Sequence, residues 1–445
     1  MSNTMVNFYR GTQGMGVVIS VTYDKDRVIL DFGAPFTPLS EIYDGTVKPR
    51  FRNRVKDALL LERIPAVPGI FTREDLQDLS CQSFEDSDLN TAVFISHLHL
   101  DHMSEADKIA TQIPVYIHED GLKLLDALCT VGREKTHRRF SAFRYHEKIT
   151  IGNISVTPYF SDHPCPGSAG FLIETPDSTI YYSGDIRFHG LNSQKALKEL
   201  DELSNIKTDL LIVDATTTSP AEFTSELITE MGIYKDAAYL LNGFRGLGVF
   251  NQYDRDVAMM ARMVQIGQRL NRITVFEPAY AYILNALYGY KAPILLPDLR
   301  EHPQYVKEMT GWPQVTADEI KAHPDKYLLQ NSYGNILTLT DFDGIPGKYF
   351  HLFGEPLVAG AKEYGIMLNV IKKLNWEFSS YTNLYSFSHA YPEHLRNMVE
   401  KINAKTVVAV HSRNPEKLDP VNSIQFFPTE GCEYILQDGI LTKAD

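Results

Sequence analysis

The stretch Thr91-Ala92-Val93-Phe94-Ile95-Ser96-His97-Leu98-His99-Leu100-Asp101-His102-Met103 decides how this chain is read. Thr91 to Ser96 is apolar and β-branched, the composition of a short buried strand. It runs directly into three imidazoles and one carboxylate within six residues, His97 to His102. His97 and His99 are two apart, so in an extended backbone both side chains point the same way. Asp101 and His102 follow at the expected start of a helix. Imidazole nitrogen and carboxylate oxygen suit Zn²⁺ and its neighbours. A lone histidine is usually a core or surface residue, whereas an H-x-H-x-D-H run behind an apolar strand reads as a set of metal donors.

The same punctuation recurs downstream. Strands are expected at 113–117, 150–160, 170–174, 179–183, 209–213, 383–387 and 406–410, and a helix at 121–128. Five of those strands end at or beside a donor: His163 in Ser161-Asp162-His163, Asp185 in Gly184-Asp185, then Asp214, His389 and His411. In open α/β folds, sites lie outside the carboxyl ends of the strands. Repeated His and Asp at those ends therefore point to one shared edge. Gly184 is expected to let the backbone approach a bound ion. Pro392 suits the first turn of a helix whose apolar face is Leu395, Met398, Val399 and Ile402, which places His389 near a helix N-terminus, a natural anion-binding position. Residues 16–31 read as a hairpin ending at Asp31, a carboxylate able to orient a ligand histidine from behind.

The 445 residues suggest two or three domains, at ~150 residues each. Residues 40–90 read as a long loop with short helices. From about 215 to 375 the donors disappear and strand alternates with helix. A stripe at Val257, Met260, Ala261 and Val264 marks one helix, 280–287 marks another, and 273–276, 335–340 and 348–353 read as strands. This is expected to be a separate α/β unit inserted into the first, dividing the chain into 1–205, 206–375 and 376–445. A net charge of −13 argues against a broad polycationic surface. Two local basic stretches are candidates for strand contact: Lys48, Arg50, Arg52, Arg54 and Lys56, which an extended chain would align on one side, and Arg133, Lys135, Arg138 and Arg139. The four scattered cysteines form no C-x-x-C, no apolar run is long enough to span a membrane, and the N-terminus lacks signal-peptide features. A cytoplasmic, reduced protein is expected.

The hexad, His163 in SDHPCPG and Asp185 in YYSGDIRFHG resemble the motifs of the metallo-β-lactamase fold. Asp214 after LLIVD, His389 in SFSHA and His411 in VVAVHS resemble the added motifs of its β-CASP branch, which includes ribonuclease J, messenger-RNA cleavage-factor nucleases and some DNA-processing enzymes. The resemblance implies an α/β fold: an αββα sandwich interrupted by an inserted α/β β-CASP domain, with the active site in the cleft between them. It implies one ion on His97, His99 and His163, a second on Asp101, His102 and His411, and Asp185 bridging. His389 would contact the scissile phosphate, with Asp214 hydrogen-bonded to it, so Asp101, His389 and Asp214 are the catalytic candidates. Ser388 and Ser412 stand where the branch commonly has glycine. The chain runs 34 residues past His411, so the C-terminal assembly domain of ribonuclease J is not expected, although a homo-oligomer is compatible.

The chemistry implied is phosphodiester hydrolysis with two Zn²⁺, or Mn²⁺ in their place, ~3.5–4 Å apart and sharing a hydroxide nucleophile. Single-stranded RNA is the expected substrate. Single-stranded DNA is the alternative within the branch. A thioester or lactone hydrolase on the same core, and a non-catalytic binding subunit, are the alternatives outside it.

Overall fold

A computed structural model describes residues 3–35, 47–218, 229–296, 304–357, 359–381 and 388–444. Period-two alternation in the strands builds its core. In Asp26–Leu30, Val28 and Leu30 turn to one side and Ile29 to the other. Val28, Leu30 and Phe94 meet Phe171, Ile173, Tyr182, Ile212 and Val410 of a second sheet in a shared apolar layer. Ile29, Val93 and Ile95 instead face Leu124, Leu125 and Leu128 of the helix Glu119–Thr130. On the far side, Leu172, Tyr181, Leu211 and Val213 pack on Ala196, Leu200 and Leu203 of Ser193–Leu203 and on Leu395, Met398, Val399 and Ile402 of Pro392–Ile402. The layers are therefore helix, sheet, sheet, helix.

The first sheet has eight strands, ordered Ile440–Lys443, Glu433–Gln437, Thr4–Arg10, Val18–Tyr23, Asp26–Leu30, Asn90–Phe94, Val115–His118 and Ser141–Phe143. The second has seven: Ile424–Gln425, Thr406–Val410, Leu210–Asp214, Thr179–Tyr182, Ala169–Glu174, Ile154–Phe160 and Ile149–Ile151. The hairpin at 433–443 pairs with the first strand, Met5 opposite Ile435, so both ends of the chain share one sheet. Between Asp214 and Thr406 the chain builds a third sheet of parallel strands, ordered Ile273–Val275, Tyr327–Gln330, Leu247–Gln252, Gly347–Leu352 and Glu377–Ser380. Its helix Pro278–Tyr288 packs against Glu119–Thr130 of the sandwich, and one apolar cluster runs through both units.

Several expectations need correction. The strand expected at 335–340 lies within 3₁₀ turns spanning Tyr333–Phe342. Its buried residues Ile336, Leu339 and Phe342 recur every third position, the period of that tighter helix and not of a strand. Residues 150–160 form two antiparallel strands, Ile149–Ile151 and Ile154–Phe160, which turn at Gly152 with φ of 56°. The basic residues at 48–56 do not line up, because the helix Arg54–Leu60 begins among them to bury Val55 and Ala58. Arg50 pairs with Asp57 and Lys56 with Asp78. Arg138 is buried, donating to the carbonyls of Ile109, Ala110 and Ile113, and Arg133 lies over the Tyr280 ring. Those two cations hold the fold together, which leaves Lys135 and Arg139 exposed. The strand expected at 383–387 lies outside the described residues.

Candidate metal centre

The donors gather where parallel strands end. Asn90–Phe94 delivers the hexad, Thr179–Tyr182 delivers Asp185, Leu210–Asp214 ends on Asp214 itself, and Thr406–Val410 delivers His411. Asp31 lies beneath them in the left-handed region, φ 59°, where a non-glycine residue is uncommon. Its carboxylate accepts from the Ser96 backbone N–H at 2.6 Å, the Ser96 hydroxyl at 2.8 Å, the Tyr182 hydroxyl at 2.6 Å and His102 Nδ1 at 2.8 Å. A carboxylate on Nδ1 directs Nε2 toward a metal. His163 Nδ1 donates to the Ser388 carbonyl at 2.9 Å. His411 Nδ1 donates to the Thr216 hydroxyl at 2.6 Å, which in turn donates to Asp214 at 2.6 Å. Three histidines are thus oriented from behind in the same way.

Their inward atoms converge. His163 Nε2 is 3.0 Å from His99 Nδ1. His411 Nε2 is 2.9 Å from Asp101 Oδ2, with His102 Nε2 3.6 Å from the same oxygen. Asp185 lies between the groups, one oxygen 3.3 Å from His102 Nε2 and the other 3.6 and 3.7 Å from His97 and His163. Donor atoms of His97, His99, His163 and Asp185 lie within 4.8 Å of one another, as do those of Asp101, His102 and His411. Nε2 of His97, His99 and His102 are buried without a hydrogen-bond partner among the described residues. Buried polar atoms ordinarily have partners; three orphaned imidazole nitrogens, those of His97 and His102 within 3.6 Å of a carboxylate oxygen, are what a divalent cation would complete. The residues present therefore fit the group that the fold implies.

The donor cluster divides its imidazoles by their surroundings. Burial, followed by neighbouring imidazoles, holds His97 and His163 well below the usual histidine range, and burial takes His99 down to about 3. Burial also opposes charge on His411, but Asp185 and Asp101 outweigh it and raise its pKa to about 9. Asp185, Asp101 and Asp31 likewise overcome burial at His102 and hold it well above its ordinary value. Protons and a metal ion compete for these two imidazoles, and a ligand imidazole must be unprotonated to bind a metal. Zn²⁺ uptake at pH 7 is expected to release protons and to weaken as pH falls. Calorimetry in buffers of different ionisation enthalpy checks this, since an identical apparent enthalpy in all of them would contradict it.

His389 and Asp214 form a pair beside this cluster. His389 Nδ1 meets Asp214 Oδ2 at 2.7 Å and stands 3.9 Å from Asp185. Thr216 links Asp214 to His411, a role with no signal in the sequence beyond a hydroxyl following a strand. Ser96 and Tyr182, the other partners of Asp31, were likewise not anticipated. Gly184 has a packing role. Its φ is 55°, and a Cβ there would lie 2.7 Å from the Ala169 carbonyl oxygen and 2.9 Å from Ser96 Cβ, so close backbone packing requires glycine here. Gly33 is the tighter position: a Cβ there would stand 2.0 Å from the carbonyl of Asp101. Gly33→Ala is expected to displace the helix Leu100–Met103, costing about 1–3 kcal/mol of stability and weakening metal binding. A chemical denaturation midpoint equal to wild type would contradict it.

Comparison with known proteins agrees with this fold. The Beta-lactamase superfamily domain model matches residues 64–246. Ribonuclease J of Pyrococcus abyssi is 22% identical over 200 residues, covering 42% of this chain and 43% of that protein. Endoribonuclease YSH1 of Gibberella zeae is 25% identical over 185 residues, covering 36% and 22%. Both alignments span less than half of the relative's length. Ribonuclease J of Mycoplasma genitalium aligns over 436 residues, 92% of this chain and 68% of that protein, at 18% identity. A crystal structure of a protein of unknown function from Enterococcus faecalis V583 covers 98% of this chain and 100% of its own with a TM-score of 0.82 and 23% identity, a likeness of fold. Residues 64–246 thus match the beta-lactamase superfamily domain, and ribonuclease J and YSH1, to which the chain is similar at 18–25% identity, are the relatives it resembles.

Proposed function

We propose that this protein is a metal-dependent phosphodiesterase that hydrolyses RNA, taken as a single strand into the cleft between the sandwich (1–205 and 376–445) and the inserted unit (206–375), and that it works in the cytoplasm. The observation that carries this reading is the His389–Asp214 pair, 2.7 Å apart, set against the seven-donor cluster. A hydrolase acting on an uncharged thioester or lactone has no need of a second buried histidine–carboxylate pair there. His97, His99 and His163 would hold one divalent ion, Asp101, His102 and His411 the other, and Asp185 would serve both. Such ions, Zn²⁺ or Mn²⁺, supply a water of lowered pKa and charge neutralisation at phosphorus.

The protein's own groups do the rest. Asp214 accepts from His389 Nδ1, which fixes the tautomer and leaves Nε2 for the substrate. As the imidazolium, with both ring nitrogens protonated, it would donate from Nε2 to a phosphoryl oxygen and pass that proton to the leaving oxygen, ending as the neutral Nδ1–H tautomer. Thr216 ties Asp214 to His411, so the histidine pair and the donor set hold one register. The test is incubation of Zn²⁺- or Mn²⁺-loaded protein with end-labelled RNA and DNA oligomers and with a chromogenic lactone and thioester. Cleavage of RNA is expected, and single products released from one end would mark exonuclease action. Cleavage of DNA alone, or of the small esters alone, would overturn the reading.

A further inference from the structure

Two buried arginines join the inserted unit to the loops that carry the donors. Arg255 follows the strand Leu247–Gln252 of the third sheet and is 4% exposed. Its Nε donates at 2.9 Å to the carbonyl of Leu98, the residue between His97 and His99. Its other nitrogens pair with Glu134 of the sandwich at 2.6 Å and with Asp254 at 3.1 Å. Neighbouring Tyr253 lays its ring 5.6 Å from that of His99. The opposite contact comes from the sandwich. Arg187, two residues past Asp185, pairs with Glu230 of the inserted unit at 2.9 Å and with Asp162, next to His163, at 3.4 Å. Glu230 is fully buried and also accepts from the Tyr234 hydroxyl at 2.8 Å and the Leu191 N–H at 3.1 Å. The inserted unit therefore reaches the loops of His97 and His99, of His163 and of Asp185.

Metal ligation itself needs no guanidinium at any of these places. A buried guanidinium is a rigid, directional spacer, and removing one leaves its carbonyl and carboxylate partners unpaired. Groups that orient ligands from behind typically govern metal affinity by about 10–100-fold. The geometry points to a reciprocal coupling in which Arg255 is a positioning residue: docking of the inserted unit sets the affinity of the metal centre, and metal binding in turn tightens the docking. Reciprocity is required of any such linkage. The inference rests on the metal-centre reading above but not on the identity of the substrate.

The experiment measures Zn²⁺ affinity by competition with a chromophoric chelator for wild type, Arg255→Met and Arg255→Lys. It also follows amide hydrogen exchange in wild type with and without Zn²⁺. Arg255→Met should bind Zn²⁺ about 10–100-fold more weakly, and Arg255→Lys, which keeps the charge without the fork, should fall between. Stripping Zn²⁺ should speed exchange in the helices Glu230–Leu241 and Val257–Arg269. Should Arg255→Met fail to fold, Glu134→Ala removes the guanidinium's partner on the sandwich side and should weaken Zn²⁺ binding in the same direction. Wild-type affinity in a folded variant, or exchange in both helices indifferent to Zn²⁺, would overturn the coupling. A wild-type protein that takes up no Zn²⁺ would overturn the metal-centre reading itself, before any variant is made.

Discussion

Asp185→Ala is expected to strip the protein of its metal. The carboxylate is buried within 3.3–3.7 Å of His97, His102 and His163, histidines drawn from both donor sets. It is the donor that touches both sets, so its loss lowers affinity at both ions, and it removes a negative charge that each buried cation would otherwise face. Elemental analysis after dialysis should fall from two ions per chain toward none. Turnover of RNA should drop by ~10³-fold or more, corresponding to about 4 kcal/mol of transition-state stabilisation. Far-ultraviolet circular dichroism should be unchanged, because the apolar layers of the sandwich do not involve this residue. A variant that retained two ions per chain would contradict the bridging role.

His389→Ala is expected to do the reverse, keeping the metal and losing the chemistry. The imidazole is bonded to Asp214 and stands 3.9 Å from the nearest oxygen of Asp185; its donor atom groups with those of Asp185, Asp214 and His411 and with neither of the sets assigned to the two ions. Proton transfer by a positioned side chain contributes typically ~10²–10⁴-fold, so kcat should fall by that factor with metal content intact. Asp214→Asn should reproduce much of the loss, because an amide can present its N–H to Nδ1 and so reverse the tautomer. Parent rates from His389→Ala would remove this residue from the mechanism and, with it, the main support for a nucleic-acid substrate.

Much of the sandwich and the donor set was legible in the sequence because both are written locally. Strand alternation at Val28, Ile29 and Leu30, the hexad behind an apolar strand, and an Asp or His at or beside the end of five later strands require only neighbours in the chain. Asp31 was also readable, since a carboxylate at a strand end has few reasons to be there beyond a turn. What was not legible depends on residues far apart. The hairpin at 433–443 is ordinary β sequence, and only its pairing with Thr4–Arg10 shows that it closes the first sheet. Thr216 gains its role from His411, brought beside it by the parallel pairing of Leu210–Asp214 with Thr406–Val410. The basic stretches misled because their partners, Asp57, Asp78 and the carbonyls around Arg138, do not announce themselves in a linear reading. At 335–340, apolar residues spaced by three were mistaken for a strand.

Donors from four separate stretches of chain are expected to close around a pair of ions. Anomalous difference density from crystals of the Zn²⁺-loaded protein tests it most directly. Two peaks are expected ~3.5–4 Å apart, one ringed by His97, His99 and His163, the other by Asp101, His102 and His411, with Asp185 between. A single peak, or density away from Asp185, would contradict it.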